Sequence, residues 1–442
     1  MQLEFPQKSL KKETLLKNSK YTLSANLVNQ VIATSIFLVV PNILGQNNYA
    51  QVVYISVLMS FMVLFDFGMG FVYGRVMPSI YHSKNQEIIE EYNQTFFLFR
   101  LIMSLIGSVV IGFVYYMKYE NILNAFFLIF LNPLSIIIKF SIQQYSVQEN
   151  FLVYRNINIK NSVAKILLIP FSYFFGVSGW ISAQVFSSLF VIQSIQEKII
   201  PQYKYFNYKL LKKYFREGII LLANFFFWNQ LLNSGRLYAS IYFDEHSLSQ
   251  YGITNAGYTL LLTLVISIFL PVTVATLKIM NDNTKDAIKQ LFDVIIKISI
   301  PLSIIVIIAI EVTPSLYKIF FPKYNINFEI LKYQLLSLMA LPLVVTLGNI
   351  FLGLKQPFKL LILYSGAFFF SYLIFRILLL YYGDVSAAIA QFIGVTFLGI
   401  SMFISIILFY SKYIENIKLV ILKILGTVFM PYLVYFIIRS FI

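Results

Sequence analysis

Apolar stretches of about 20 residues, the length a helix needs to cross a hydrocarbon layer, follow one another along the whole chain. Thirteen qualify between Tyr21 and Ile437. The fifth, about Val153–Phe175, has a polar first half, and the last covers about Leu419–Ile437. Only 12% of the residues are charged and 59% are hydrophobic, whereas a soluble domain carries roughly 25% charged residues. So few charges cannot cover a surface that faces water, so lipid must be the solvent for most of it. The expected fold is therefore an all-α integral membrane protein.

Orientation follows from the basic residues of the connections. With the N-terminus in the cytoplasm, all but seven of the 34 Lys and Arg fall nearer the inner side; the seven are Lys118, Arg236, Lys318, Lys323, Lys332, Arg376 and Arg439. This asymmetry accounts for much of the +15 net charge without a nucleic-acid partner. The chain opens on a lysine-rich polar stretch that does not read as a cleavable signal peptide. The connections are short, the longest near Met77–Gln94 and Gln196–Glu217, and none is large enough for a soluble domain. With no cysteine, and His82 and His246 as the only histidines, neither a metal centre nor a cofactor is expected.

A faint internal repeat divides the chain. Asn26, Asn29 and Gln30 in the first stretch are followed by the turn Leu44-Gly45-Gln46-Asn47-Asn48-Tyr49-Ala50. In the seventh, Asn224, Asn229 and Gln230 are followed by Leu248-Ser249-Gln250-Tyr251-Gly252. Each is a polar helix, an external turn, and a tyrosine opening the next helix. The expectation is two six-helix lobes, residues 1–200 and 201–411, with an extra hydrophobic helix over 412–442. Parallel repeats with a site at their interface are a transporter design.

Ionisable groups inside a membrane cost about 2.5–3.5 kcal/mol each on insertion scales, so they tend to face a cavity or a partner. Asn132, Ser135, Lys139 and Gln143 fall on one face of the fourth helix. Arg155, Asn158, Ser162 and Lys165 do so on the fifth, and Asn229, Asn233, Arg236 and Ser240 on the seventh. Arg155 reads first as a snorkelling residue near the headgroups, and Lys139 fits either role. Lys165 and Arg236 sit deeper, and a polar lumen accounts for them better. Carboxylates in the spans are few. Asp293 has Lys297 one turn on and reads as an ion pair, Glu311 reads as a solvated outer residue, and Asp66 stands alone. A polar face richer in Lys and Arg than in Asp and Glu suits an anionic ligand, because ammonium and guanidinium groups pair with phosphate oxygens.

Asp66-Phe67-Gly68-Met69-Gly70 followed by Arg75 resembles the D-x-G-x-G…R stretch of polysaccharide (O-antigen-type) flippases in the multidrug/oligosaccharidyl-lipid/polysaccharide exporter superfamily. Leu44–Ala50 is similar to that family's external turn. Phe321-Pro322-Lys323-Tyr324 with Leu352-Gly353-Leu354-Lys355-Gln356 is similar to its tenth-helix region. The resemblance implies twelve core helices around a central cavity, working by alternating access in a bacterial inner membrane, with a thirteenth span as a departure. It implies an undecaprenyl-pyrophosphate-linked oligosaccharide, such as an O-antigen repeat unit in lipopolysaccharide assembly, moved from the cytoplasmic to the periplasmic leaflet. An H⁺ or Na⁺ gradient would drive it, and other polysaccharide-assembly membrane proteins would be its neighbours.

The residues expected to hold the anionic headgroup are Arg236, Lys165, Lys139, Arg155, Asn229, Asn233 and Asn29, with Asp66 for ion coupling and no catalytic residue. One alternative is a membrane-embedded polysaccharide polymerase or glycosyltransferase. It would need a large external loop, and the outer cluster Asp244, Glu245 and His246 lies in a short one. The other is a multidrug exporter of the same superfamily, for which buried carboxylates would be expected.

Overall fold

In the computed structural model, the described residues are 12–82, 85–195, 202–282, 284–411 and 417–441, and they are helical almost throughout, with no strand among them. Eight helical stretches are long and apolar enough to cross a membrane. Three of these, of 47, 43 and 54 residues, would be roughly 65–80 Å long at 1.5 Å per residue, twice the hydrocarbon thickness. Each is broken by a glycine at positive φ: Gly45 (71°), Gly176 (59°) and Gly383 (50°). A right-handed helix cannot continue through such a residue. Counting each broken stretch twice, and adding Tyr208–Tyr242 and Glu245–Asp282, the described residues make thirteen traverses.

Asparagine sets many of the helix starts, because its side-chain oxygen accepts the first free backbone N–H groups. Asn85 caps α3 (Gln86–Tyr119) and Asn121 caps α4 (Ile122–Val147). Asn150 caps α5 (Phe151–Ala164), and Asn327 caps the segment Phe328–Ser337. The heavy asparagine content at the connections thus has a local structural cause.

The chain packs as two compact units, Met1–Leu222 and Ala223–Ile442. The first contains α1 (Lys12–Phe61), α2 (Met69–His82), α3, α4, α5 and α6 (Leu168–Gln193). Tyr73, Phe96, Phe97 and Phe140 fill its core, all at most 2% exposed. Ring contacts link Tyr73 to both Phe96 and Phe140. The α6 hairpin at Gly176 closes with Phe171 against Phe186, ring centroids 6.0 Å apart.

The second unit is built around the span Phe328–Gly353. Of its most apolar window 89% is buried, against 17–44% for the other spans. That span is therefore enclosed by helices, and the others keep a lipid face. Pro357–Tyr382 and Ser386–Tyr410 run back to back, with Phe370 stacked on Phe397 at 4.2 Å and Ser371 bonded to the Ala390 carbonyl. The last segment, Ile417–Phe441, is about 37 Å long, enough to cross the layer. It is held by Tyr432 Oη donating to the Leu336 carbonyl (3.1 Å) and by Arg439 paired with Glu311 (3.2 Å). Glu311 stays 55% exposed, as an outer residue would, while pairing with the thirteenth helix. Asp293 and Lys297 both stay exposed, and no ion pair joins them.

Candidate functional site

The second traverse of the N-terminal unit does not run straight through. Met62–Asp66 winds as a 3₁₀ turn, Phe67 adopts a left-handed conformation (φ 48°), Gly68 follows at φ 73°, and helix α2 restarts at Met69. Breaking a helix frees backbone groups that lipid cannot satisfy, so they need partners within the protein. Asp66 supplies one, its Oδ2 accepting from the Gly70 N–H at 2.9 Å. The glycines are fixed by close approach. A Cβ on Gly68 would lie 1.9 Å from the Gly218 carbonyl oxygen, and one on Gly70 would lie 2.8 Å from both Arg100 Nη2 and Asp66 Oδ2.

The other oxygen of Asp66 accepts from Arg100 Nε at 2.5 Å. Arg100 Nη1 donates to Gln143 Oε1 (3.0 Å), Gln143 Nε2 donates to the Gly70 carbonyl (2.7 Å), and the guanidinium lies over the Phe140 ring at 5.7 Å. Four residues from three helices thus close a polar ring around the break. The Arg100 and Asp66 side chains are only 7% and 11% exposed. Asp66 is therefore not alone, as the sequence suggested. Arg75 is paired as well, with Glu217.

Lys139 lies one turn before Gln143 on α4. It keeps an open surface, and the charges of Arg100, Lys165 and Asp66 all act on it. Lys165 begins a short 3₁₀ turn, Lys165–Leu167, inside the fifth traverse. One turn earlier Ser162 Oγ donates to Asn29 Oδ1 at 3.1 Å. The expected stripes on the first and fifth helices thus meet at this bond within one unit, and the charge of Lys165 acts on Lys139 of the fourth. Arg155 is engaged locally, its guanidinium on the Asn156 amide (3.0 Å) and 4.9 Å from the Tyr21 ring centre, as a snorkelling residue would be.

Arg236, Asn229 and Asn233 belong to the other unit. There the seventh traverse is broken at Asn233, between Tyr208–Leu232 and Ser234–Tyr242. Asn233 Nδ2 donates to the Asn229 carbonyl (2.9 Å). The fully buried Gln391 bridges the break, donating to the Leu232 carbonyl (2.6 Å) and accepting from the Gly235 N–H (3.3 Å). Arg236 follows this break directly and is half-buried.

Sequence reasoning missed Arg100 and Gln391. Arg100 is the one basic residue within the apolar third stretch, and its sign, opposite to that of Asp66, was the available signal. Gln391 has no such signal, because a lone amide in an apolar run does not reveal which backbone groups it meets.

Neither a family model nor a curated protein matches the chain. Solved structures do. An inward-facing multidrug resistance MATE family transporter of the MOP superfamily superposes with a TM-score of 0.67 at 17% identity, over 88% of this chain and 94% of that one. A point mutant of the Vibrio cholerae MATE transporter VcmN gives 0.60 at 13% identity over 91% and 97%. A MATE transporter in a straight conformation gives 0.61 at 16% over 91% and 96%. The chain is thus an all-α, multi-pass membrane protein with the fold of MATE transporters.

Proposed function

We propose that the protein is a flippase for an anionic lipid-linked oligosaccharide, of the undecaprenyl-pyrophosphate class, in a bacterial inner membrane. It would work by alternating access, moving the headgroup from the cytoplasmic to the periplasmic leaflet under an ion gradient. The observation that carries this reading is the sign of the polar face in the N-terminal unit, where the buried Arg100, the exposed Lys139 and the half-buried Lys165 stand against the carboxylate of Asp66. Phosphate oxygens answer such a face, and ammonium and guanidinium donors bind them through charge-assisted hydrogen bonds. Arg236, half-buried beyond the break of the seventh traverse, is the cation we assign to the substrate from the C-terminal unit. The polyprenyl chain stays in lipid while the glycan and diphosphate travel through polar surroundings, so no covalent chemistry is needed.

One solved structure of the same fold is a multidrug resistance transporter, and that is the competing reading. A cationic drug would be repelled by this face, so the sign of the charge separates the two. The deciding experiment is deletion of the gene followed by leaflet-resolved measurement of lipid-linked oligosaccharide. Repeat units held on the cytoplasmic leaflet, with surface glycan lost, support the flippase. Units that reach the outer leaflet unpolymerised favour a polymerase, and loss of dye efflux with glycan intact favours a drug exporter.

A further inference from the structure

The ring around Asp66 has a property that its role at the helix break does not require. Both carboxylate oxygens face N–H donors, Oδ1 the Arg100 guanidinium and Oδ2 the Gly70 amide. Lys139 acts on the same carboxylate from α4, and Lys165 acts on Lys139 from the fifth traverse. Along α2, Arg75 is already paired with Glu217. With Asp66 ionised the cluster holds three cations and one anion, and its strongest phosphate ligand is occupied by an internal carboxylate.

We propose that Arg100 is a third anion-binding cation of this unit, held in reserve by Asp66 and released to the substrate diphosphate when Asp66 takes up a proton. The inference rests on the anionic-substrate reading above and names its coupling ion. The proton from water adds to Oδ1, and Arg100 Nε loses its anionic acceptor. Oδ2 continues to accept from Gly70, so the break stays capped. Gln143 still holds Nη1, which keeps the guanidinium oriented as its charge passes to a phosphate oxygen. When the ligand departs, Asp66 returns the proton to water and pairs with Arg100 again. Sodium does not fit here. A hard cation is bound by several oxygen ligands, whereas the groups facing Asp66 are hydrogen-bond donors and the nearest charges are positive.

Geranyl pyrophosphate is a water-soluble probe with the same headgroup chemistry, and its binding to the purified full chain can be followed by calorimetry in buffers of different ionisation enthalpy. Wild type should take up one more proton per ligand bound than Asp66→Asn, because the ligand's own titration is common to both. Its affinity should then fall about tenfold more per pH unit than that of the variant, by proton linkage. Arg100→Gln, which leaves no guanidinium to release, should also lose the extra proton and bind about tenfold more weakly. It keeps the proposal testable should Asp66→Asn fail to fold. Lys139→Gln should bind weakly yet keep the extra proton, and exchanging K⁺ for Na⁺ should change nothing.

Equal proton uptake in wild type, Asp66→Asn and Arg100→Gln, with Lys139→Gln still weakened, would overturn the reserve role and leave the flippase reading intact. A sodium requirement would overturn it likewise. No binding by wild type at any pH would remove both.

Discussion

At the scale of single residues, the second traverse is held by contacts too close to tolerate change. Gly68 combines a left-handed backbone with a Cβ position 1.9 Å from the Gly218 carbonyl oxygen. Gly68→Ala must therefore shift the backbone of two segments and incur strain of about 1–3 kcal/mol or more. A lowered thermal unfolding temperature in detergent would register it, and an unchanged one would contradict the packing described. The role proposed for Arg236 depends on its donor geometry. A guanidinium that holds phosphate in a fork is not replaced by lysine, so Arg236→Lys should lose part of the complementing activity and Arg236→Ala nearly all. A merely snorkelling arginine would tolerate lysine. Surface glycan from a deletion strain carrying each variant, at equal protein level, distinguishes the two.

At the scale of elements, the helix ends make their own predictions. Asp244 starts the helix Glu245–Asp282 by accepting from the Ser247 N–H at 2.8 Å. The Ser247 backbone and hydroxyl hydrogen bonds hold its carboxyl below the ordinary value of 3.8. A lowered folded-state value means the ionised form stabilises the fold. That contribution is complete above the ordinary carboxylate range and is lost as pH falls through the lowered value. Asp244→Ala should cost about 1 kcal/mol near neutral pH and nothing at strongly acid pH, as thermal unfolding across pH would show. Gln391 is the corresponding test in the interior. Gln391→Leu strands the Leu232 carbonyl and the Gly235 N–H, at about 1–3 kcal/mol for each unsatisfied group.

Much at this scale was legible beforehand. The thirteen apolar stretches and the stripe holding Lys139 and Gln143 followed from length and periodicity. The breaks at Phe67 and Asn233 did not, because what permits them is tertiary: side chains of Arg100, Gln143 and Gln391, remote in sequence, satisfy the freed backbone. Asp66 read as solitary for the same reason, since its partner lies 34 positions away on another helix.

At the scale of the whole molecule, the orientation we infer from the basic connections places the segment around Lys209–Lys213 in the cytoplasm and Asp244–His246 outside. The chain has no cysteine, so single cysteines can be placed at either point and labelled in intact cells with an impermeant reagent. Labelling at Lys209 but not at Asp244 would invert the orientation. The central claim is that the protein carries an anionic lipid-linked glycan past the hydrocarbon on its N-terminal cations. Its most direct test is translocation of a polyprenyl-pyrophosphate-linked oligosaccharide in proteoliposomes, followed by a glycosidase that reaches only the outer leaflet. Under a proton gradient, wild type should carry substrate between leaflets and Lys139→Ala combined with Lys165→Ala should not. Translocation by the double variant at the wild-type rate, or none by wild type, would contradict the account.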